Sequence, residues 1–394
     1  MKTLIKRLCQ AALAGVLLAS PAIAADPVKI GVGIAQTGFL APTAEPILNA
    51  YKLWAKQLND QGGMDVAGER RPIELVVYDD QSDFSKEAAI YEKLITDDKV
   101  DLLLSPYTTA AHLAVVGVLE RYQFPMVGST ASSEQLKKIK PGNIWFPSPT
   151  MPDQIATEYA KLLKAQGVKT AAMAVLQTPY SLETAGLLRE TLKGQGIELL
   201  VDESYDFSTK DLTAIVAKIK ASGAEAVMAL TLPGDAILYM KAAREQDLLA
   251  PYQFLLIGPT GDWFQKMFGN DLDGILTAGH WSPSQSKWPK AQKFYDDYVA
   301  AYGMAPDYLD VVLSWISAEI TEQAVAVAGL DKAKIRETIA SETFDTINGP
   351  IKFDGVQNAT TPVMFLQLQG STPQIVWPAD MATAPLKTKG PWAK

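Results

Sequence analysis

From Asp26 onward the chain alternates short apolar runs with amphipathic stretches of roughly ten to twenty residues, the signature of βα units. Parallel strands cannot be joined by a tight turn and need a crossover, usually a helix, so this period dictates an α/β fold with mainly parallel sheets. The first strand is expected at Val28 to Ile34, followed by the turn Gln36-Thr37-Gly38-Phe39 and a helix from Thr43 to Asn59. Strands at Ile73 to Tyr78, Val100 to Leu104 and Pro125 to Val127 follow, with helices at Ser85 to Asp97 and Ala110 to Tyr122 between them. A second series places strands at Thr170 to Leu176, Glu198 to Ser204, Ala224 to Leu230, Tyr252 to Ile257 and Ile275 to Gly279. Its helices are expected at Pro152 to Lys164, Leu182 to Gly194, Leu212 to Ala221 and Asp235 to Glu245.

Two series in 394 residues exceed what one hydrophobic core usually serves and fit two lobes. Pro147, Pro149 and Pro152 deny the backbone the donors an inner strand or helix needs, which sets a lobe boundary there. The loop His280-Trp281-Ser282-Pro283-Ser284 sets a second. Helices at Pro289 to Tyr302, Leu309 to Ala328 and Lys332 to Ser341 lack strands of their own and must pack on a preceding lobe, so the chain crosses between lobes more than once. Pro362 to Gln369 and Pro373 to Pro378 are predicted to form a β-hairpin, and the Pro/Ala/Lys-rich end beyond it is expected to be loosely held. The expected organisation is two Rossmann-like lobes: residues 26–147 plus 282–348 in the first, and 148–281 plus 349–394 in the second with the tail.

Residues 1–25 are expected to be a cleaved secretory signal. Lys2, Lys6 and Arg7 precede an apolar run from Leu8 to Ala19, and Ala22-Ile23-Ala24 offers a small-x-small cleavage site near Ala24 or Ala25. The run is shorter than the ~20 residues a membrane span needs, and no later segment is expected to be apolar enough to cross a membrane. The single cysteine, Cys9, would leave with the signal, so the mature chain is expected to carry no disulfide and no thiolate chemistry. A formal charge of −8 disfavours nucleic acid or anionic lipid as a partner.

The catalytic inventory is thin. The two histidines, His112 and His280, lie far apart, and no HExxH, GxSxG, Walker or GxGxxG pattern occurs. His112 is expected on a helix surface or at a cap. Gly31 and Gly33 fall inside the first strand with no third glycine opening the helix, which argues against a dinucleotide fingerprint. Asp79-Asp80-Gln81-Ser82-Asp83 is expected to be a solvated turn and helix cap in preference to a cation site. The chain is therefore expected to be no enzyme and to hold neither cofactor nor metal; an exported glycosidase with paired carboxylates is the weaker reading.

Ligands of open α/β sheets bind beyond the carboxyl ends of the strands, where helix N-termini present unpaired N–H groups. Two hydroxyl-rich loops fall at such ends: Ser105-Pro106-Tyr107-Thr108-Thr109 and Gly128-Ser129-Thr130-Ala131-Ser132-Ser133. Both suit a carboxylate, and either alone also suits a plain cap. Phe39, Tyr107, Tyr180, Trp263 and Trp281 lie near predicted strand ends and are expected to wall an apolar or aromatic ligand body.

Several segments, in order and spacing, resemble the periplasmic leucine/isoleucine/valine-type binding proteins, the solute receptors of ABC importers. They are Lys29 to Val32 with Gln36-Thr37-Gly38, Gly62-Gly63-Met64 leading to Ile73 to Asp80, Ser105 to Ala110, Phe124 to Val127 into Ser129 to Ser133, and Gly258-Pro259-Thr260-Gly261. The resemblance spans nearly the whole mature chain. It implies a type I periplasmic binding fold, two lobes joined by a three-crossing hinge that closes on the ligand, a periplasmic location, and an ABC importer membrane permease as partner. It further implies that Thr109, Thr130, Ala131 and Ser132 hold the ligand carboxylate and that Tyr180 covers the ligand from the second lobe. One position departs from the family. Thr260 stands where the amino-acid binders carry a glutamate for the ligand ammonium, so either Asp262 or Asp235 substitutes or the ligand lacks an amine. The expected solute is a small carboxylate-bearing molecule, with an aromatic or apolar organic acid favoured over a plain amino acid. A ligand-sensing domain working with a separate signalling protein is the alternative.

Overall fold

A computed structural model describes residues 26–370 and 372–393; the expected signal segment lies outside them. The first series runs β1 (Val28–Gly33), α1 (Ala41–Asp60), the hairpin β2 (Met64–Val66) and β3 (Glu69–Arg71), β4 (Ile73–Tyr78), α2 (Glu87–Thr96), β5 (Leu102–Leu103), α3 (Thr109–Tyr122), β6 (Met126–Val127), α4 (Glu134–Ile139) and β7 (Ile144–Trp145). The strands pair in parallel, in the order β4-β1-β5, with β6 and β7 as a further parallel pair.

The second series runs α5 (Pro152–Ala165), β8 (Thr170–Leu176), α6 (Pro179–Gly194), β9 (Glu198–Tyr205), α7 (Thr213–Ser222), β10 (Ala226–Leu230), α8 (Pro233–Glu245), β11 (Tyr252–Leu255), α9 (Asp262–Phe268) and β12 (Ile275–Gly279). After it come α10 (Pro289–Tyr302), α11 (Asp310–Ala328), α12 (Lys332–Ser341), β13 (Thr343–Thr346), β14 (Gly349–Asp354), β15 (Gln357–Asn358), β16 (Met364–Gln369) and β17 (Thr372–Trp377). The larger sheet has the order β17-β16-β12-β11-β10-β8-β9, parallel from β12 to β9 and extended at one edge by the antiparallel pairs of β16 and β17.

Strand β8 shows why these runs are continuously apolar. Ala171, Met173 and Val175 enter the core on one face of the sheet, Ala172, Ala174 and Leu176 the core on the other. A strand covered by helices on both faces has no polar side to alternate with. In the first sheet Gly33 has a packing role: a Cβ there would lie 2.4 Å from Glu87 Oε2, so α2 can approach only a glycine.

The C-terminal helices join the first core, where Val312, Trp315 and Ile316 pack with Ile47, Tyr51 and Trp54. The Tyr298 hydroxyl donates to the Pro46 carbonyl at 2.9 Å and Ser317 Oγ to that of Val127 at 2.7 Å. Contrary to the sequence expectation, α11 is long and apolar enough by composition to cross a membrane. In the fold α11 is mostly buried, as the core helix of the first lobe.

Two further expectations are corrected. The lobe boundary placed at 348/349 falls inside a hairpin, because Thr346 pairs with Gly349 and β14 stays beside α12; the chain enters the larger sheet only at Met364. The tail is not loose either. Trp392 is buried in the second core with its indole N–H on the Leu248 carbonyl at 3.0 Å, and Lys387 N–H donates to Gln367 Oε1 at 2.9 Å. Composition gave the wrong answer there because one terminal tryptophan supplies the apolar area that the flanking Pro and Lys lack.

Candidate functional site

The loops after the strands of both series converge on one cavity of about 470 Å³, within the range of small-molecule sites. Phe39 follows β1, Ser82 to Ser85 follow β4, Tyr107 to Ala110 follow β5 and Thr130 follows β6. From the other series come Gln177 to Tyr180 after β8, Phe207 after β9, Leu232 after β10 and Ile257 after β11. Each strand ends at its C-terminal edge, so both sheets aim their helix N-termini inward.

One wall is the start of α3. Thr108 caps the helix, its hydroxyl accepting from Ala111 N–H at 3.3 Å, and its own N–H donates to Thr130 Oγ1 at 3.0 Å. Its φ of 80° is strained for a β-branched residue, a cost that concentrates at sites where backbone groups must be aimed. Thr109 Oγ1 accepts from Ser132 N–H at 3.1 Å. Behind this wall His112 is buried, with Nδ1 on the Thr108 carbonyl at 2.8 Å and Ser129 N–H donating to Nε2 at 3.2 Å. Those partners put the proton on Nδ1, and burial lowers the ring pKa to about 4. His112 is a structural tie between two loops and not the surface or cap residue expected.

Much of the remaining lining is aromatic and comes from both series. Phe39 and Phe207, 55 % and 42 % exposed, meet edge-on across the cleft with ring centroids 5.0 Å apart. Tyr180 lines the cavity and is held by its hydroxyl donating to the Thr150 carbonyl at 2.8 Å. Burial raises its pKa. Tyr107 is buried at the same cavity, and its hydroxyl donates to Asp310 Oδ2 at 3.1 Å.

The structure brings Phe39, Tyr107, Thr109, Thr130 and Tyr180 to this cavity and leaves the other expected residues outside it. Ala131 is fully buried in a cluster with Val115 and Leu119 of α3 and Leu136 of α4, and Ser132 lies behind Thr109 with its hydroxyl 3.1 Å from that of Ser148. Thr260, Asp262 and Trp263 line a smaller neighbouring cavity, shared with Thr43, Asp307 and Asp310. Asp262 pairs with Lys266 at 2.6 Å. Asp235 caps α8, accepting from Leu232 N–H at 3.0 Å and from the Tyr205 hydroxyl; burial raises its pKa to about 6. It lines an adjoining cleft under Phe207. Trp281 is no wall at all: it is fully buried against Phe294 and Tyr308, with its N–H on the Ile347 carbonyl at 3.0 Å. Burial likewise lowers the pKa of His280 to about 4 between the Leu309 carbonyl and Asn348.

Sequence reasoning missed Phe207, Gln177, Thr178 and Asp310. The strand-end rule applied to the loop after Glu198 to Ser204 would have found Phe207. Asp310 had no such signal: it heads α11, and only the packing of that helix brings it to the cleft.

A family model described as "Periplasmic binding protein" matches residues 27–372. "Leu/Ile/Val-binding protein homolog 8" of Brucella suis is 24% identical over 411 residues, covering 98% of this chain and 99% of that protein. Among solved structures, an ABC transporter solute binding protein of R. palustris in complex with benzoate superposes with a TM-score of 0.80 at 20% identity, covering 93% of this chain and 97% of that one. The branched-chain amino acid transporter substrate binding protein of Streptococcus pneumoniae in complex with isoleucine gives 0.80 and 20%, covering 90% and 100%. The chain belongs to the periplasmic binding protein family and has its type I fold.

Proposed function

We propose that this protein is the periplasmic receptor of an ABC importer, binding a small carboxylate with an apolar or aromatic body and delivering it to a membrane permease without converting it. The observation that carries this reading is the composition of the cavity between the two series. The N-terminus of α3 lines it with Thr108 and Thr109, beside Thr130, and the aromatic lining is Phe39 from the first series with Tyr180 and Phe207 from the second. A helix N-terminus and hydroxyls favour an anion, and the aromatic rings favour an apolar body. Benzoate and isoleucine, named in the complexes of two structural neighbours, both have this composition.

Isothermal calorimetry against amino acids, aromatic acids, short aliphatic acids and their amides tests the reading. Carboxylates are expected to bind and the matching amides to bind weakly. Thr130→Ala is expected to weaken the best acid by about 1.5 to 3 kcal/mol, the usual worth of a hydrogen bond to a charged group. Amides binding as tightly as acids, or an unchanged affinity in the variant, would remove the carboxylate from the proposal.

A further inference from the structure

Two acids meet inside the first lobe, behind a loop that lines the cavity. Asp80 follows β4 and Glu87 opens α2; they are 1 % and 0 % exposed. Among the described residues neither Glu87 oxygen has a hydrogen-bond donor, and the charged group that acts on it is Asp80. Tyr91, one turn along α2, and Tyr51 of α1 stay neutral, because burial raises both above the ordinary phenol value. From α3, Arg121 and Tyr122 reach Glu92 of α2, and His112 is tied to the Thr108 carbonyl and Ser129 N–H. On the exposed side of the loop, Lys86 bonds the Gln81 side chain at 2.5 Å, Asp83 the Ser85 N–H at 3.0 Å and Asp79 the Gln36 N–H at 2.9 Å. Two carboxyls that share a site out of water cannot both ionise without large cost, so they hold a proton between them.

The loop carries this pair to the cavity. Asp80 Oδ1 accepts from Ser82 N–H at 2.5 Å. Ser82 Oγ in turn accepts from Leu40 N–H at 3.0 Å and donates to the Thr37 carbonyl at 2.8 Å, which fixes the turn bearing Phe39. The approach is close, since a Cβ on Gly38 would lie 2.4 Å from Ser82 Oγ. Gln81 and Ser82 both have a φ of 61°, a left-handed backbone that residues with a side chain hold only where their surroundings impose it. Ser82 to Ser85 and Phe39 all line the cavity.

We infer that Asp80 and Glu87 form a proton-dependent latch: with the shared proton in place they set the Ser82 to Ser85 and Phe39 part of the cavity wall, and loss of the proton to solvent releases it. The Glu87 hydroxyl donates to Asp80, and Asp80 holds Ser82. Once Glu87 ionises, two carboxylates face each other with no cation at hand. Glu87 is fixed in a helix, so the strained loop is the part that moves, and Ser82 leaves Leu40 and Thr37. Because burial and Asp80 raise the Glu87 pKa to about 9, the latch is set at neutral pH and opens as pH rises through that value. Both acids act through the loop and are positioning residues, so the latch works whichever solute the cavity takes.

Fluorine NMR without any solute tests it, on protein carrying 4-fluorophenylalanine at its 12 phenylalanines. Phe39→Leu and Phe84→Leu assign the two reporter resonances. Between about pH 6.5 and 10.5 both are expected to shift together, with a midpoint at the Glu87 pKa, while the other resonances stay. In Glu87→Gln, which keeps the shape and cannot ionise, both are expected to remain at their low-pH positions. Should Glu87→Gln not fold, Asp80→Asn is measured in the same way, and removal of the like charge is expected to lower the midpoint by about one pH unit. Reporter resonances that do not move in the unaltered protein, or that move with the same midpoint in the variant, would overturn the latch. All resonances moving at once would mean unfolding in alkali and would overturn it too. None of these outcomes bears on the carboxylate reading of the cavity.

Discussion

Glu87 is fully buried, and among the described residues neither of its carboxylate oxygens has a hydrogen-bond donor. Burial, and then the adjacent Asp80, raise its pKa to about 9, so at neutral pH it holds a proton and can share it with Asp80. The sign of the linkage follows. A carboxyl whose pKa is higher in the folded chain than the ordinary 4.5 contributes stability below 4.5 that is lost as pH rises toward 9, because only the unfolded chain is then free to ionise. Glu87→Gln keeps the shape without that liability. It is expected to stabilise the protein by on the order of 1 kcal/mol at pH 8 and by progressively less toward pH 4.5, as read by urea denaturation at each pH. A variant equally destabilised at both ends would mean that the carboxyl makes a contact the amide cannot. This residue also marks a limit of sequence reading. Gly33 was legible as a strand glycine, but that its missing side chain admits Glu87 depends on a helix approach that no local pattern encodes. Thr109, Thr130 and Tyr180 were legible because strand-end loops and helix caps are local signals; Asp310 was not, because only packing of α11 against α1 brings it to the cleft.

At the scale of elements, α6 and α4 meet through a single side chain. Glu183 of α6 accepts from Ser133 Oγ at 2.9 Å, Glu134 N–H at 2.8 Å and Gln135 Nε2 at 3.0 Å, all at the start of α4. An acid facing the first turn of a helix is stabilised by its unpaired N–H groups. The contact spans the cleft without lining the cavity, so it bears on closure and leaves ligand chemistry alone. Glu183→Ala is expected to cost the closed arrangement on the order of 1 to 2 kcal/mol and hence to weaken ligand affinity roughly tenfold through the closed population. Calorimetry should show the same rank order of ligands as in the unaltered protein; a changed rank order would place Glu183 in recognition. None of this was visible in the sequence, because α4 is one and a half turns long and carries too few apolar residues to declare a period. The long elements were legible for the opposite reason. Runs such as Thr170 to Leu176 are apolar on both faces, and α5 keeps Ile155, Tyr159 and Leu162 on its buried side.

For the whole molecule, the chain passes between the two series in segments that are tied to each other. Phe146 N–H donates to the Val356 carbonyl at 2.7 Å, Asn358 N–H to that of Phe146 at 3.1 Å, and Asn358 Nδ2 to that of Pro147 at 2.8 Å. These bonds run along connecting backbone and not between lobe surfaces, so they can survive a rotation that parts the surfaces. Among the described residues, the side-chain contacts that such a rotation would strain include the Phe39 and Phe207 edge contact, the Glu183 cluster and the Lys137–Asp153 pair at 2.7 Å. An aromatic pair is worth about 0.5 to 1.5 kcal/mol beyond its buried area, so the lobes should separate readily when nothing fills the cavity between them. A ligand buried against both walls adds contacts that exist only when the lobes are closed, and it shifts the population by that difference. Small-angle X-ray scattering is therefore expected to show a smaller radius of gyration with saturating ligand than without it, and the unliganded Glu183→Ala protein to be at least as extended as the unliganded parent. An unchanged radius on binding a tight ligand would mean that the cavity is preformed and open to solvent by another route, and that closure has no part in holding the solute.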